Sequence, residues 1–214
     1  MAIRVILVDD HAVVRDGVGY LLDAQSDFRV VGSFGDGHEA VRFASAEHPD
    51  VAIIDITMQG MNGIEVARQI HDACPETQIL ILTMHASAEY VYQAFHAGAQ
   101  GYLLKESASS EVAIAVRAVA AGKRYISRKI GNARIERYVK ERRTDDQFER
   151  LSAREREVLQ LTAEGKTSAE AAKLLGLSPK SVESYRSRMM RKLELDDLPA
   201  LVKFAIRHGI TSIE

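Results

Sequence analysis

Short apolar runs alternate with helix-period stretches along the first 121 residues. The runs Ile3 to Val8, Arg29 to Val31, Val51 to Ile54, Ile79 to Leu82 and Tyr102 to Leu104 predict strands. The first, third and fourth are almost wholly apolar, as parallel strands buried on both faces require. Amphipathic stretches near 13–25, 36–47, 63–73, 87–97 and 108–121 predict helices. Five strands alternating with five helices predict an α/β doubly wound parallel five-stranded sheet. Right-handed crossovers favour the strand order 2-1-3-4-5.

The pattern breaks after residue 124. Residues 125–150 hold charged clusters such as Lys140-Glu-Arg-Arg143, with Ile130, Ala133, Tyr138 and Val139 spaced for one side of a short helix. This stretch is predicted as a linker with a helix inside. From Leu151 the periodicity is helical throughout. Ser152-Ala-Arg-Glu155 and Thr167-Ser-Ala-Glu170 have the spacing of capping boxes, and Ser178-Pro179 places proline at a first helical position. Asp197 can cap a last helix that Gly209 ends, and Leu198, Leu201, Val202 and Ala205 give that helix one apolar stripe. The stripe suits the small core of four helices or a dimer surface. Three parts follow: 1–124, a linker at 125–150, and a small all-α four-helix domain at 151–214.

Composition narrows the class. A length of 214 residues suits two small domains, and 46% hydrophobic with 27% charged residues is ordinary for soluble protein. No apolar run approaches the roughly 20 residues of a membrane span, and two acids cut short the apolar run at the N-terminus. A cytoplasmic protein with no membrane partner is expected. The single cysteine, Cys74, excludes an internal disulfide and a cysteine-based metal cage. The net charge of −2 argues against nucleic acid until it is divided. Residues 1–124 are net −7, residues 125–150 net +3 and residues 151–214 net +2. Any contact with phosphate backbones therefore belongs to the C-terminal part.

In a doubly wound sheet, ligands bind outside the carboxyl ends of the strands. There the predicted strands end in Asp9-Asp10, Asp55, Thr83 and Lys105. Clustered carboxylates repel one another and need a cation, and an all-oxygen site with open positions suits Mg²⁺. Asp55 could then attack phosphorus to form an acyl phosphate, with Lys105 neutralising phosphoryl oxygens and Thr83 donating a hydrogen bond.

Val8-Asp-Asp-His11, Asp55-Ile-Thr-Met58, Leu82-Thr-Met-His85 and Gly101-Tyr-Leu-Leu-Lys105 resemble the receiver domain of two-component response regulators. The resemblance implies that Asp9, Asp10, Asp55 and the Thr57 carbonyl hold Mg²⁺. It implies phosphorylation of Asp55 by a sensor histidine kinase, with Thr83 and Tyr102 as the switch pair and Lys105 binding phosphate. The family usually has proline where this chain has Gln59. Thr57 and His85 fill variable positions that tune the lifetime of the acyl phosphate.

Residues 168–187 have the spacing of a helix-turn-helix. Ala172 is small where two helices approach, Gly176 stands at the turn, and Leu175, Leu177 and Val182 lock the pair. Lys180, Arg186, Arg188, Arg191 and Lys192 then load the second helix against Glu183 alone. Leu151-Ser-Ala-Arg-Glu-Arg-Glu-Val-Leu159 and Val182 through Leu193 resemble the LuxR-type DNA-binding domain, and the whole chain resembles the NarL/FixJ class of response regulators. That resemblance implies a DNA-binding transcriptional regulator, not an enzyme beyond phosphotransfer to its own Asp55 and slow self-dephosphorylation. Glu183, Ser184 and Ser187 would face bases, Lys180 and Arg188 would hold phosphates, and Ser181 shares that surface. The implied partners are double-stranded DNA, read in the major groove as paired half-sites, a second copy of the chain on activation, and RNA polymerase.

Two other readings remain open on sequence alone. A phosphatase with an aspartyl-phosphate intermediate needs a second acid, often two residues past the nucleophile, where this chain has Thr57. A receiver that switches without phosphorylation would lack part of the acid, threonine and lysine set. Here the set is complete.

Overall fold

The computed structural model describes residues 2–130, 147–208 and 210–211. The chain divides into two compact units, Met1–Tyr138 and Val139–Glu214. The first alternates β1 (Ile3–Val8), α1 (Ala12–Asp23), β2 (Phe28–Phe34), α2 (Gly37–Glu47), β3 (Val51–Ile54), α3 (Gly63–Ala73), β4 (Gln78–Thr83), α4 (Ala88–His96), β5 (Gly101–Leu104) and α5 (Ala108–Ala120), and then adds β6 (Tyr125–Ile126). All pairings are parallel, in the order β2-β1-β3-β4-β5-β6.

Side chains alternate across a strand, so each buried strand feeds two cores. Val5, Leu7, Ile53, Leu80 and Leu103 pack on one face with Val18 and Leu22 of α1 and Val112, Val116 and Val119 of α5. Ile6, Val8, Ile54, Ile81 and Tyr102 pack on the other with Ala40 and Ala44 of α2, Val66 and Ile70 of α3, and Val91 and Ala94 of α4. Burial on both faces fixes register, because a one-residue slip would turn each strand inside out.

The expected count of five strands is corrected to six. Tyr125–Ile126 falls where the linker was expected to begin. Its backbone joins the edge of β5 through Tyr125 N–H to the Gln100 carbonyl (3.1 Å) and Ser127 N–H to the Tyr102 carbonyl (2.8 Å). The Tyr125 hydroxyl also donates to Glu111 of α5 at 2.6 Å. Two residues are too few to show an alternating pattern, so pairing rather than periodicity defines this strand. Ile130 is buried in the sheet's core. Ala133, Tyr138 and Val139 of the expected linker helix lie outside the described residues.

The second unit holds α6 (Ala153–Ala163), α7 (Ser168–Leu175), α8 (Pro179–Lys192) and α9 (Leu198–Arg207). The predicted caps form. Ser152 and Thr167 complete capping boxes with Glu155 and Glu170, Ser178 accepts from the Ser181 N–H, and Asp197 accepts from the Ala200 N–H. Each such cap is worth about 1 kcal/mol. Gly176 closes α7 in the left-handed conformation at φ 64°, where a side chain would be strained. Gly209 lies outside the described residues. Leu201 and Ala205 of the α9 stripe are fully buried with Val158, Leu159 and Met189, whereas Leu198 is exposed. Two of the stripe's four residues thus serve the domain's own core.

Candidate functional site

The carboxyl ends of the strands carry the predicted rim. Asp9 follows β1, Asp55 follows β3, Thr83 ends β4 and Lys105 follows β5. Asp9, Asp55 and Thr83 are buried. The Lys105 ammonium bridges the two acids, 2.7 Å from Asp9 Oδ2 and 2.7 Å from Asp55 Oδ2. Burial pushes the Asp55 carboxyl above its ordinary range, although Lys105 pulls against that shift. Burial also opposes the charge on Lys105, but its contacts with the Asp55 and Asp9 carboxylates outweigh it and hold the lysine's pKa up. The lysine therefore remains a firm ammonium between two carboxylates.

Asp9, Asp10, His11 and Asp55 present ligand atoms within 4.8 Å of one another. Asp9 Oδ2 and Asp10 Oδ1 are buried without a hydrogen bond. Lys105 and His11 lie within ion-pair distance of them, at 2.7 and 2.8 Å, but without the alignment of a hydrogen bond. Buried carboxylate oxygens left without such a partner, in an oxygen-rich cluster, fit a hard divalent cation. Thr57 stands two residues beyond Asp55, and its peptide group pulls the Asp55 carboxyl's pKa down, against the effect of burial. His11 was not anticipated at the cluster. It adjoins the acid pair in sequence, and its peptide N–H donates to Asp9 Oδ1 at 2.8 Å.

The surrounding loop is tied together by hydrogen bonds. The Thr83 hydroxyl accepts from the His85 N–H at 3.3 Å, and the Tyr102 hydroxyl donates to the His85 carbonyl at 2.8 Å. Tyr102 is fully buried and its ring points into the domain core. Burial also raises the Tyr102 hydroxyl's pKa, keeping it a donor. His85 is not a free loop residue: its Nε2 lies 2.9 Å from Thr57 Oγ1, and its ring stacks on Tyr90 at 4.3 Å.

The basic helix α8 lies in the second unit. Lys180, Glu183, Ser184, Ser187 and Arg188 are exposed, and spacings of three and four put them on one face. Arg188 packs over the Tyr185 ring at 4.6 Å, which steadies its guanidinium at the surface. Ser181 differs, since its hydroxyl pairs with Ser178 Oγ at 2.8 Å within the cap. Lys192 turns back to Glu155 Oε2 at 2.6 Å, so that cation serves the fold.

Comparison with known proteins agrees with this division. Residues 5–117 match the response regulator receiver domain, and residues 149–205 match the bacterial regulatory proteins of the luxR family. The oxygen regulatory protein NreC of Staphylococcus epidermidis is 37% identical over 211 residues, covering 95% of this chain and 97% of that protein. The response regulator UvrY of Escherichia coli O157:H7 is 36% identical over 212 residues, covering 99% and 97%. The structure of the two-component response regulator RcsB–DNA complex is similar with a TM-score of 0.57 and 28% identity, covering 97% of this chain and 99% of that one. Among the described residues no helix is long and apolar enough to cross a membrane. The chain belongs to the NarL/FixJ class of two-component response regulators, with a receiver domain followed by a LuxR-type helix-turn-helix domain.

Proposed function

We propose that Asp55 is the phosphoacceptor and that its phosphorylation controls DNA binding by α8. The observation that carries this reading is the Lys105 bridge between Asp9 and Asp55, beside carboxylate oxygens without hydrogen bonds. In this reading residues 1–124, with β6 and Ile130 packed onto them, form the receiver, the rest of 125–150 connects it, and 151–214 bind DNA. Asp9, Asp10, Asp55 and the Thr57 carbonyl would hold Mg²⁺. When bound, Mg²⁺ neutralises charge on the carboxylates and on the incoming phosphoryl group.

Asp55 attacks the phosphorus of a phosphohistidine on a sensor kinase, or of acetyl phosphate. The new bond runs from a carboxylate oxygen to phosphorus, and the bond from phosphorus to the donor breaks. Lys105 moves its contact from the free carboxylate to a phosphoryl oxygen. The Thr83 hydroxyl donates to another. The loop 83–85 is anchored to Tyr102 through the His85 carbonyl, so movement of Thr83 repacks the neighbourhood of Tyr102 and α4. Slow hydrolysis of the acyl phosphate returns the chain to its resting state. The repacked state favours a dimer whose two α8 helices enter the major groove at paired half-sites. Lys180 and Arg188 hold phosphates there, while Glu183, Ser184 and Ser187 face base edges. Ser181 supports that surface from the cap. RNA polymerase is the expected downstream partner, and the cytoplasm the site of action.

Acetyl phosphate with Mg²⁺ should add one phosphoryl group to the wild-type chain and none to Asp55→Asn, as read by intact mass. Full incorporation into Asp55→Asn would end the assignment of Asp55. Steady release of phosphate from simple monoesters would instead favour a phosphatase.

A further inference from the structure

We infer that the peptide N–H of Gln59 is a positioning group for the metal site, holding Asp10 in the orientation that receives the cation. This inference rests on the proposed Mg²⁺ site. The Gln59 N–H donates to Asp10 Oδ2 at 3.1 Å. The other carboxylate oxygen, Asp10 Oδ1, is buried and has no hydrogen bond, with His11 Nδ1 at ion-pair distance (2.8 Å), and Asp10 offers one oxygen to the cluster with Asp9, His11 and Asp55. One oxygen is thus tethered to the loop after β3, and the other has no hydrogen bond to hold it.

The loop can bear that tether. Met58 and Met61 are buried on either side of Gln59, and the Met61 N–H donates to the Gln59 carbonyl at 3.1 Å. The Gln59 side chain is exposed, so the peptide group supplies the contact. Two effects oppose each other when a cation binds. A donor on Oδ2 draws some charge away from the carboxylate, which weakens binding. Fixing the carboxylate beforehand spares the ordering cost of a free side chain, which strengthens it. The donor occupies Oδ2 and leaves the buried Oδ1 without a hydrogen bond, so the ordering effect dominates. Proline has no N–H and cannot form this tether.

The test compares Gln59→Pro with Gln59→Ala, which keeps the peptide N–H, in MgCl₂ titrations of the full chain followed by amide chemical shifts. Gln59→Pro should weaken Mg²⁺ binding about two- to tenfold, the cost of ordering one side chain. Gln59→Ala should stay within about twofold of the wild type, because the tether remains. Asp10→Ala supplies a readout that needs no proline. Without metal, it should move the Gln59 amide proton upfield and speed its exchange with solvent. Equal affinity in the proline and alanine variants, tighter binding by Gln59→Pro, or an unmoved Gln59 amide in Asp10→Ala would each overturn the inference. A wild-type chain with no Mg²⁺-dependent shifts at Asp9, Asp10 or Asp55 would overturn the proposed metal site itself.

Discussion

Gly63→Ala should destabilise the receiver domain by about 3 kcal/mol, the upper part of the usual cost of overpacking a tight site. A β-carbon at Gly63 would lie 1.8 Å from the carbonyl oxygen of Asp55 and 2.6 Å from its carbonyl carbon. These are backbone atoms, so no rotamer change can make room. The Gly63 N–H also donates to the Ile56 carbonyl at 2.9 Å, tying the start of α3 to the loop after β3. Relief requires Asp55 to shift relative to α3. A misplacement of about 1 Å costs a reaction roughly 100-fold. Gly63→Ala should therefore lose phosphorylation rate even in the fraction that folds. Urea unfolding and single-turnover phosphorylation measure the two effects separately. Wild-type stability with a wild-type rate would show that the contact is looser than described.

Lys105→Met should cost about 3 kcal/mol at pH 7, the lower end of the cost of breaking a buried ion pair by removing one partner. The lysine side chain is 13% exposed, and the Asp9 and Asp55 side chains it bridges are 7% and 3% exposed. Without it, two buried carboxylates face each other with no cation. The loss should shrink towards pH 5. Asp55's carboxyl already lies above its ordinary value because of burial. The folded chain therefore holds this proton at a pH where the unfolded chain has released it. Such a group contributes stability below its unfolded pKa and loses it as pH rises through the folded pKa. Removing the ammonium raises the folded pKa further, so the deficit grows over a wider span towards neutrality. Urea unfolding at both pH values checks the sign. An equal deficit at pH 5 and pH 7 would mean that charge on Asp55 is not what the lysine stabilises.

The parts of the fold that were legible in the sequence are those carried by repetition. Val5 to Val8 and Ile79 to Leu82 announce buried strands because every residue is apolar. Ser152 with Glu155, and Thr167 with Glu170, announce helix starts because the spacing itself makes the hydrogen bonds. The acidic rim was legible because each member directly follows or ends a strand, so predicting the sheet aligns Asp9, Asp55, Thr83 and Lys105.

What escaped the sequence depends on contacts between backbones or on single turns of chain. Tyr125–Ile126 is too short to show a period, so its strand appears only in its pairing with β5. The Gln59 tether uses a peptide N–H, which every residue but proline has, and the side-chain type does not reveal its partner. Gly63 reads only as the first residue of a predicted helix until a β-carbon placed there is found to meet the Asp55 carbonyl. Leu198 to Ala205 shows an apolar stripe, but periodicity cannot say whether the stripe faces its own domain or a second copy. Burial of Leu201 and Ala205 assigns half of it to the domain's core.

The central claim is that the phosphoryl group on Asp55 changes what α8 does. Its most direct measurement is the affinity of the full chain for a duplex selected from a random library by the phosphorylated chain. Affinity is compared at one fixed salt concentration, with and without acetyl phosphate and Mg²⁺, for the wild type and for Asp55→Asn. Coupling between two sites usually amounts to about 5- to 150-fold in affinity. The account predicts a gain of that order for the wild type and none for Asp55→Asn. A fully phosphorylated wild type with unchanged affinity, or an equal gain in Asp55→Asn, would contradict it.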